Sequence, residues 1–392
     1  MSVITIAESE TRRAWQAVSA IFFIFGLNMG TWAPHIPFAK ERLNASPGLF
    51  GATLLCMAVG GISCMPAISW LINRTGSAPV IVVSAGLSLA FLPLPFIAPS
   101  LPLFAAALFL FGGAMGALDV SMNSHGLIVE DKLGKPVMSS FHAIFSFAGL
   151  FGGLVSAVLI SQVNETYRSL LSSLGGLLLL VWAASKLFPA DVDKGRSQSP
   201  LAWPTRATVG LGFLCFLALL IEGATIDWSG IYLRETFASS GTVTAFNFAA
   251  YSAGMAISRL LGDRARLRWG PVVLARWSAC ASAFLLALAL TAPNATIALV
   301  AFALSGVTLG PIAPLLFAGG GRAEPLHPSR GISAVTTLGY LGIVAGPPLV
   351  GAIAEVSSLA AALGLVALLA VVISVFAALT GIADRGEPQS PR

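Results

Sequence analysis

The stretch GALDVSMNSHGLIVE, residues 116–130, carries Asp119, Asn123 and His125 within seven residues, yet it closes an apolar run that begins LPLFAAALFLFGG at Leu101. Asp119 and Asn123 are four apart, so a helix sets them on one face. Similar pairs recur along the chain: Asn28 with Trp32, Asn247 with Tyr251, and Thr336 with Tyr340, each four apart in an apolar segment. Glu222, Asp227 and Trp228 form a further group, and His142 opens another apolar run. Amides and carboxylates bond hydroxyl groups, and an indole stacks on the C–H face of a sugar ring, so this set suits a neutral polyhydroxylated ligand. A carboxyl group in a low-dielectric site favours its neutral form. Such a group can take up a proton on one side of a barrier and release it on the other. Asp119, Glu222 and Asp227 are the residues expected to do so. Asn28, Trp32, Asn123, His142, Trp228, Asn247, Tyr251, Thr336 and Tyr340 are expected to contact the ligand.

Each group also has a plainer reading. Asp119 can tie its helix down through Asn123 or a neighbouring backbone, and His142 can be a packing or gate residue. Trp32 and Trp228 can belong to an interfacial aromatic belt, and His125 reads as structural. His35 and His327 lie at loop margins and carry no signal.

These residues need elements to hold them, and composition says which kind. Apolar residues make up 56% of the chain and charged residues 10%, against about 25% charged in soluble domains. A chain this poor in charge is solvated by lipid. Twelve stretches are long enough to cross as helices, near 15–37, 48–72, 79–98, 101–128, 137–161, 169–188, 207–232, 242–262, 271–292, 295–318, 331–354 and 359–382. Asp119 lies eleven residues from Glu130, or about 16 Å at 1.5 Å per residue, close to mid-membrane. Glu222 sits at a similar depth, with Asp227 and Trp228 more than one turn further out.

Charge orients the spans. With the N-terminus inside and sides alternating, 18 of the 22 Lys and Arg residues fall in inner segments; only Lys40, Arg42, Arg168 and Arg234 fall outside. That split follows the positive-inside rule. It places both termini in the cytoplasm and explains the net charge of +5 without nucleic acid. The first eleven residues lack a small-residue cleavage site, so no removable signal peptide is expected. Cys56, Cys64, Cys215 and Cys280 fall inside spans and read as packing residues. No metal site and no cofactor are expected.

The chain also reads as written twice. The polar connector FPADVDKGRSQSPLAWPTR lies near the midpoint, and features on either side repeat at an offset of about 194: Arg74-Thr-Gly76 with Arg268-Trp-Gly270, Gly113 with Gly306, Gly149 and Gly153 with Gly342 and Gly346. Trp32 and Trp228 match at nearly the same offset. The expected fold is therefore all-α and membrane-spanning, with a six-helix bundle at 1–188, a cytoplasmic linker at 189–206 and a second six-helix bundle at 207–392. Parallel repeats of this kind suit a transporter with its site where the repeats meet.

Twelve spans, a 6+6 repeat and a charged central loop resemble the major facilitator superfamily. The loop Ser69-Trp-Leu-Ile-Asn73-Arg74-Thr-Gly76 is similar to that superfamily's G-x-x-x-D-R-x-G inner-gate motif, with Ser69 for Gly and Asn73 for Asp. Its counterpart, Ser258-Arg259-Leu-Leu-Gly262-Asp263-Arg264, retains an Asp. The segments ALDVSMNSHGLIVE, Met138-Ser-Ser-Phe-His142 and Glu222-Gly-Ala-Thr-Ile-Asp227-Trp228 resemble a bacterial branch near the fucose permeases. The resemblance implies an inner gate built on Arg74, Gly76, Glu130, Arg259 and Asp263, with Glu130, Asp131, Arg259 and Asp263 in ion pairs at the inner surface.

The resulting expectation is secondary active transport of a sugar or sugar-like solute across a bacterial cytoplasmic (inner) membrane, by a monomer in the bilayer with protons as partner. Uptake by symport is the first reading. Export by proton antiport is the second, although span 5 lacks the Gly-Pro motif that many exporters of this superfamily carry. No phosphate-binding loop, H-E-x-x-H pair or nucleophile elbow is present in a fitting context. The connectors are too short for the pocket of a membrane enzyme.

Overall fold

Hydrocarbon offers a backbone N–H or C=O no partner outside the chain, so apolar spans of this length fold as helices. The computed structural model describes residues 8–135, 137–160, 162–194 and 203–384; among these it has fifteen α-helices, three short 3-10 segments and no strand. The chain divides into two compact units, Met1–Leu43 with Cys56–Pro200, and Asn44–Leu55 with Leu201–Arg392.

In the first unit, α1 (Glu8–Trp32) passes through a 3-10 turn at Ala33–His35 into α2 (Ile36–Arg42). Pro34 and Pro37 sit at the starts of these short segments, where a missing N–H costs nothing. There follow α3 (Pro47–Thr75), α4 (Ser77–Phe91), a short α5 (Leu94–Ile97), α6 (Leu101–Leu133), α7 (Met138–Leu159) and α8 (Glu165–Ala184). The second unit holds α9 (Val209–Phe237), α10 (Gly241–Trp269), α11 (Pro271–Leu290), α12 (Ala295–Leu309), α13 (Ile312–Ala323), α14 (Pro328–Val356) and α15 (Leu359–Val375). The first nine residues of α3 belong with this second unit, whereas the sequence boundary assigned them to the first bundle. The cause is local: Gly51 has no side chain and meets the backbone of Pro347 and Gly351 on α14, and the Gly48 N–H donates to Glu355 Oε2 at 2.9 Å.

Eleven helical stretches among the described residues are long and apolar enough to cross a membrane by length and composition. The twelfth expected span is α10, 29 residues long and more polar. Its length is about 44 Å at 1.5 Å per residue, beyond a hydrocarbon core of about 30 Å. The excess falls at its last turns, where Arg264, Arg266 and Arg268 cluster.

The sequence repeat has a structural counterpart in each unit. Gly76 closes the α3–α4 turn at φ 81° and ψ 165°, and Gly270 closes the α10–α11 turn at φ 77° and ψ 162°. Both lie in a region that glycine adopts at little cost. In the first unit Gly26 and Gly30 bring α1 against the backbone of Phe145 and Gly149 on α7; in the second, Gly342 and Gly346 bring α14 against Phe216 and Leu220 on α9. Without a hydrophobic drive between helices in lipid, such close crossings supply the packing.

Gly112 tests this packing, because a Cβ there would collide with the Met57 carbonyl of α3. Gly112→Val should destabilise the folded protein by about 1–3 kcal/mol, read as lower thermal stability in detergent. Gly175→Ala, with no atom within 4 Å of the added carbon, should leave it unchanged or slightly raise it.

Candidate functional site

On α9, Glu222, Thr225 and Ser229 share one face, since steps of three and seven residues return to nearly the same angle at about 100° per residue. That face meets α10. Arg259 donates from Nη2 to both carboxylate oxygens of Glu222, at 3.0 and 3.2 Å, with side chains 31% and 17% exposed. Asn247 donates from Nδ2 to Ser229 Oγ at 2.7 Å. Between these two links lies Tyr251, 2% exposed and within electrostatic reach of Glu222 and Arg259. Its hydroxyl lies beside the Thr225 hydroxyl of α9, while Asn247 Oδ1 and the Nε1 of fully buried Trp228 have no hydrogen-bond partner. A buried polar group without a partner costs about 1–3 kcal/mol, so these two atoms on one helix pair are candidates for contact with a ligand. Phe50 stands edge-on to the Trp228 ring at 6.3 Å.

The remaining expected residues divide. Asp227 is half-buried and lies about 140° around α9 from Glu222, off the α10 face. Neighbouring Gly223 and Ala224 approach α14 at Ile343 and Gly346. Thr336 and Tyr340 are both half-buried on α14. In the first unit Asn123 donates from Nδ2 to Asp119 Oδ1 at 3.0 Å and to the Asp119 carbonyl at 2.8 Å. Asn28 is fully buried and donates to Ser88 Oγ at 2.9 Å, leaving its own Oδ1 unpartnered. Trp32 packs in an aromatic cluster with Phe104 at 5.9 Å and Phe96 at 6.3 Å. His142 is exposed, with its ring edge-on to Phe22 at 5.3 Å.

Two contacts expected at the inner gate differ from the ion pairs read in the sequence. Arg259 is held by Glu222 on the neighbouring helix. Glu130 accepts from the backbone N–H groups of Val137 and Met138, at 2.7 and 2.9 Å. The reason is the tight turn after α6, closed by Gly134 at φ 64°, which carries the start of α7 over the Glu130 carboxylate; a helix N-terminus attracts a negative charge. Arg74 lies over the Trp70 ring at 4.3 Å. The side chain of Asp263 lies outside the described residues.

Two clusters escaped sequence reasoning because their members are far apart in the chain. Asp193 accepts from the Ser77 N–H with both carboxylate oxygens, at 3.1 and 3.0 Å, while a Cβ on Gly76 would strike the Ala190 backbone. His125 completes this network. The Phe188 N–H donates to Nε2 at 3.2 Å, which leaves the Nδ1 hydrogen to donate to Ser77 Oγ at 2.7 Å. The structural reading of His125 thus has a stated partner set. The second cluster has His35, 1% exposed, stacked on Phe96 at 4.2 Å with Nδ1 3.3 Å from Glu165 Oε2. Glu165 also accepts from Arg42 at 2.7 Å, and Arg42 donates further to the carbonyls of Pro95 and Phe96.

Helices long and apolar enough to span a membrane, joined by short turns and carrying buried polar groups, define a multi-pass membrane protein built to handle a solute. The profile described as Major Facilitator Superfamily matches residues 18–318, and the chain belongs to that family. It is a transporter of small molecules across a membrane and not an enzyme. An uncharacterized MFS-type transporter of Yersinia pestis is 33% identical over 349 residues, covering 89% of this chain and 91% of that one. The membrane protein MosC of Rhizobium meliloti is 29% identical over 377 residues, covering 95% and 91%. Among solved structures, the nucleoside transporter NupG aligns with a TM-score of 0.70 at 13% identity over 93% of this chain and 98% of that one. A variant of the E. coli fucose:proton symporter FucP aligns with a TM-score of 0.60 at 16% identity, again over 93% and 98%.

The Glu222–Arg259 link should be measurable as a coupling. Arg259→Gln and Glu222→Gln alone should each cost more stability than expected from the pair removed together. A double-mutant cycle by thermal unfolding should give an interaction energy of about 1–3 kcal/mol.

Proposed function

We propose that the protein is a secondary active transporter that takes up a small hydrophilic solute, a sugar or sugar-like compound, by proton symport and alternating access. It works as a monomer in a bacterial cytoplasmic membrane with both termini inside, the six-helix bundles at 1–188 and 207–392 joined by the cytoplasmic linker 189–206. The observation that carries this reading is the polar line between α9 and α10, where the Glu222–Arg259 pair adjoins the Tyr251 hydroxyl and the unpartnered Asn247 Oδ1. Protonation of Glu222 removes the charge that holds Arg259 and frees that guanidinium, together with Tyr251 and Asn247, for the hydroxyl groups of a solute. Deprotonation restores the pair and expels the solute contact, so proton and solute move together.

In the first unit Asp119, with Asn123 as its hydrogen-bond partner, is the second proposed proton-binding carboxyl, and Asp227 the third. Asn28, Trp32, His142, Trp228, Thr336 and Tyr340 complete the proposed solute contacts. Arg74, Gly76, Glu130, Arg259 and Asp263 remain the proposed inner gate, with Glu130 acting through the start of α7.

Proteoliposomes provide the test. An inward proton gradient should drive accumulation of the transported sugar by wild-type protein, while Asp119→Asn and Glu222→Gln should each abolish accumulation and leave exchange down a solute gradient. Accumulation at wild-type level in both variants refutes the coupling, and accumulation driven only by an outward proton gradient would assign export by antiport instead. Tyr251→Phe should weaken solute binding about three- to tenfold, the loss of one hydrogen bond worth about 0.5–1.5 kcal/mol, measured by the shift in unfolding temperature on titration.

A further inference from the structure

We propose that the turn between α10 and α11 binds the head group of an anionic phospholipid. Arg264, Arg266, Arg268 and Arg276 lie within thirteen residues, and the one acidic residue from 260 to 290 is Asp263. Orientation of the chain in a membrane does not require so many cations here. The matching turn of the first half, 194 residues earlier, carries Arg74 and no other Lys or Arg from 66 to 96. The two turns have the same glycine geometry, at φ 81° and 77°, so the additional arginines do not serve the turn itself. Arg264, Arg268 and Arg276 put three like charges near one turn, and an anion placed among them lowers their mutual repulsion.

Their setting fits a lipid. Val273, Arg276, Trp277, Cys280 and Phe284 recur at helical spacing and are all exposed, which marks the face of α11 that meets the bilayer. Arg276 lies on that face five residues from the start of the helix, about 8 Å in at 1.5 Å per residue. This is within reach of the phosphate layer for a side chain that extends its head toward water. Trp269 and Trp277, 56% and 67% exposed, flank the arginines, as indoles do at the membrane–water boundary. Arg264 and Arg268 are exposed as well, and Arg268 reaches over the Trp269 ring at 5.8 Å.

The opposite, inward side of α10 and α11 borders a small cleft of about 50 Å³ against α13. Arg259 and Arg266 line one side, and Leu274, Pro311, Pro314 and Leu315 the other. Guanidinium groups match a phosphate in shape and charge, and Arg264, Arg268 and Arg276 are exposed to meet one. The binding claim stands on the second unit alone and is independent of which solute or ion is carried.

The test uses the purified full chain in a neutral detergent, titrated with phosphatidylglycerol or phosphatidylcholine and read by native mass spectrometry. Phosphatidylglycerol should bind at least about tenfold tighter, given a contribution per basic residue of about 1 kcal/mol near an anionic membrane surface. The triple variant R264Q/R268Q/R276Q should lose that preference, and R264K/R268K/R276K should keep most of it. Should the triple Gln variant fail to fold, the three single variants are read in the same way, each losing part of the preference. Equal binding of the two lipids, or an unchanged preference in the Gln variants, overturns the proposal. So does displacement of phosphatidylglycerol by an equal concentration of glycerol phosphate, which would identify a site for a free anion.

Discussion

Hydrocarbon accepts no hydrogen bonds and solvates no charge, and every feature of this chain follows from meeting that condition internally. Backbone groups are satisfied within helices, which is why the described residues are helical and why the turns are short. The helices then have no water-driven reason to associate, so their contacts depend on approach at close range. Glycine makes that possible where α1 crosses α7, where α3 crosses α6 and where α9 crosses α14. The same condition applies to polar side chains. Asn123 bonds Asp119 on its own helix, Asn28 bonds Ser88, Asn247 bonds Ser229, and Arg259 holds Glu222.

Departures from this rule are therefore informative. A soluble protein can leave a buried hydroxyl near a water, but a span cannot do so cheaply. Asn247 Oδ1 and Trp228 Nε1 are left without a partner on the two helices that carry the charge pair, and Asn28 Oδ1 is left so on α1. Trp32 shows a contrast in surroundings: it matches Trp228 in the repeat, and Phe96 and Phe104 pack around it in the first unit. The two halves share a plan and have specialised differently, as the arginine-rich α10–α11 turn also shows against its plain counterpart at Gly76.

How much was legible depended on whether the signal was local. Helix positions, the charge asymmetry of the connectors and the repeat at offset 194 are local or periodic, and the structure has helices at each expected span. Pairs at i and i+4, such as Asp119 with Asn123, are also local, and the expected shared face became a hydrogen bond. Partners across helices were not readable. Nothing in the sequence joins Asp193 to Ser77, His35 to Glu165, or Glu222 to Arg259, because each pairing depends on which helix faces meet. Glu130 illustrates the same limit: its charge suggested an ion pair, but the sharp turn at Gly134 gave it the backbone of α7 instead.

By itself the sequence determined the solvent of this protein, its helical spans and its internal repeat, since those rest on hydropathy, length and periodicity, which any fold of the chain must respect. It also identified the polar residues too costly to bury without purpose. Only the tertiary structure decided which of them are paired, which are enclosed and which remain without a partner. That is a matter of helix rotation and crossing, which set Glu222 against Arg259 of α10 and decided which neighbour each of the other polar residues meets.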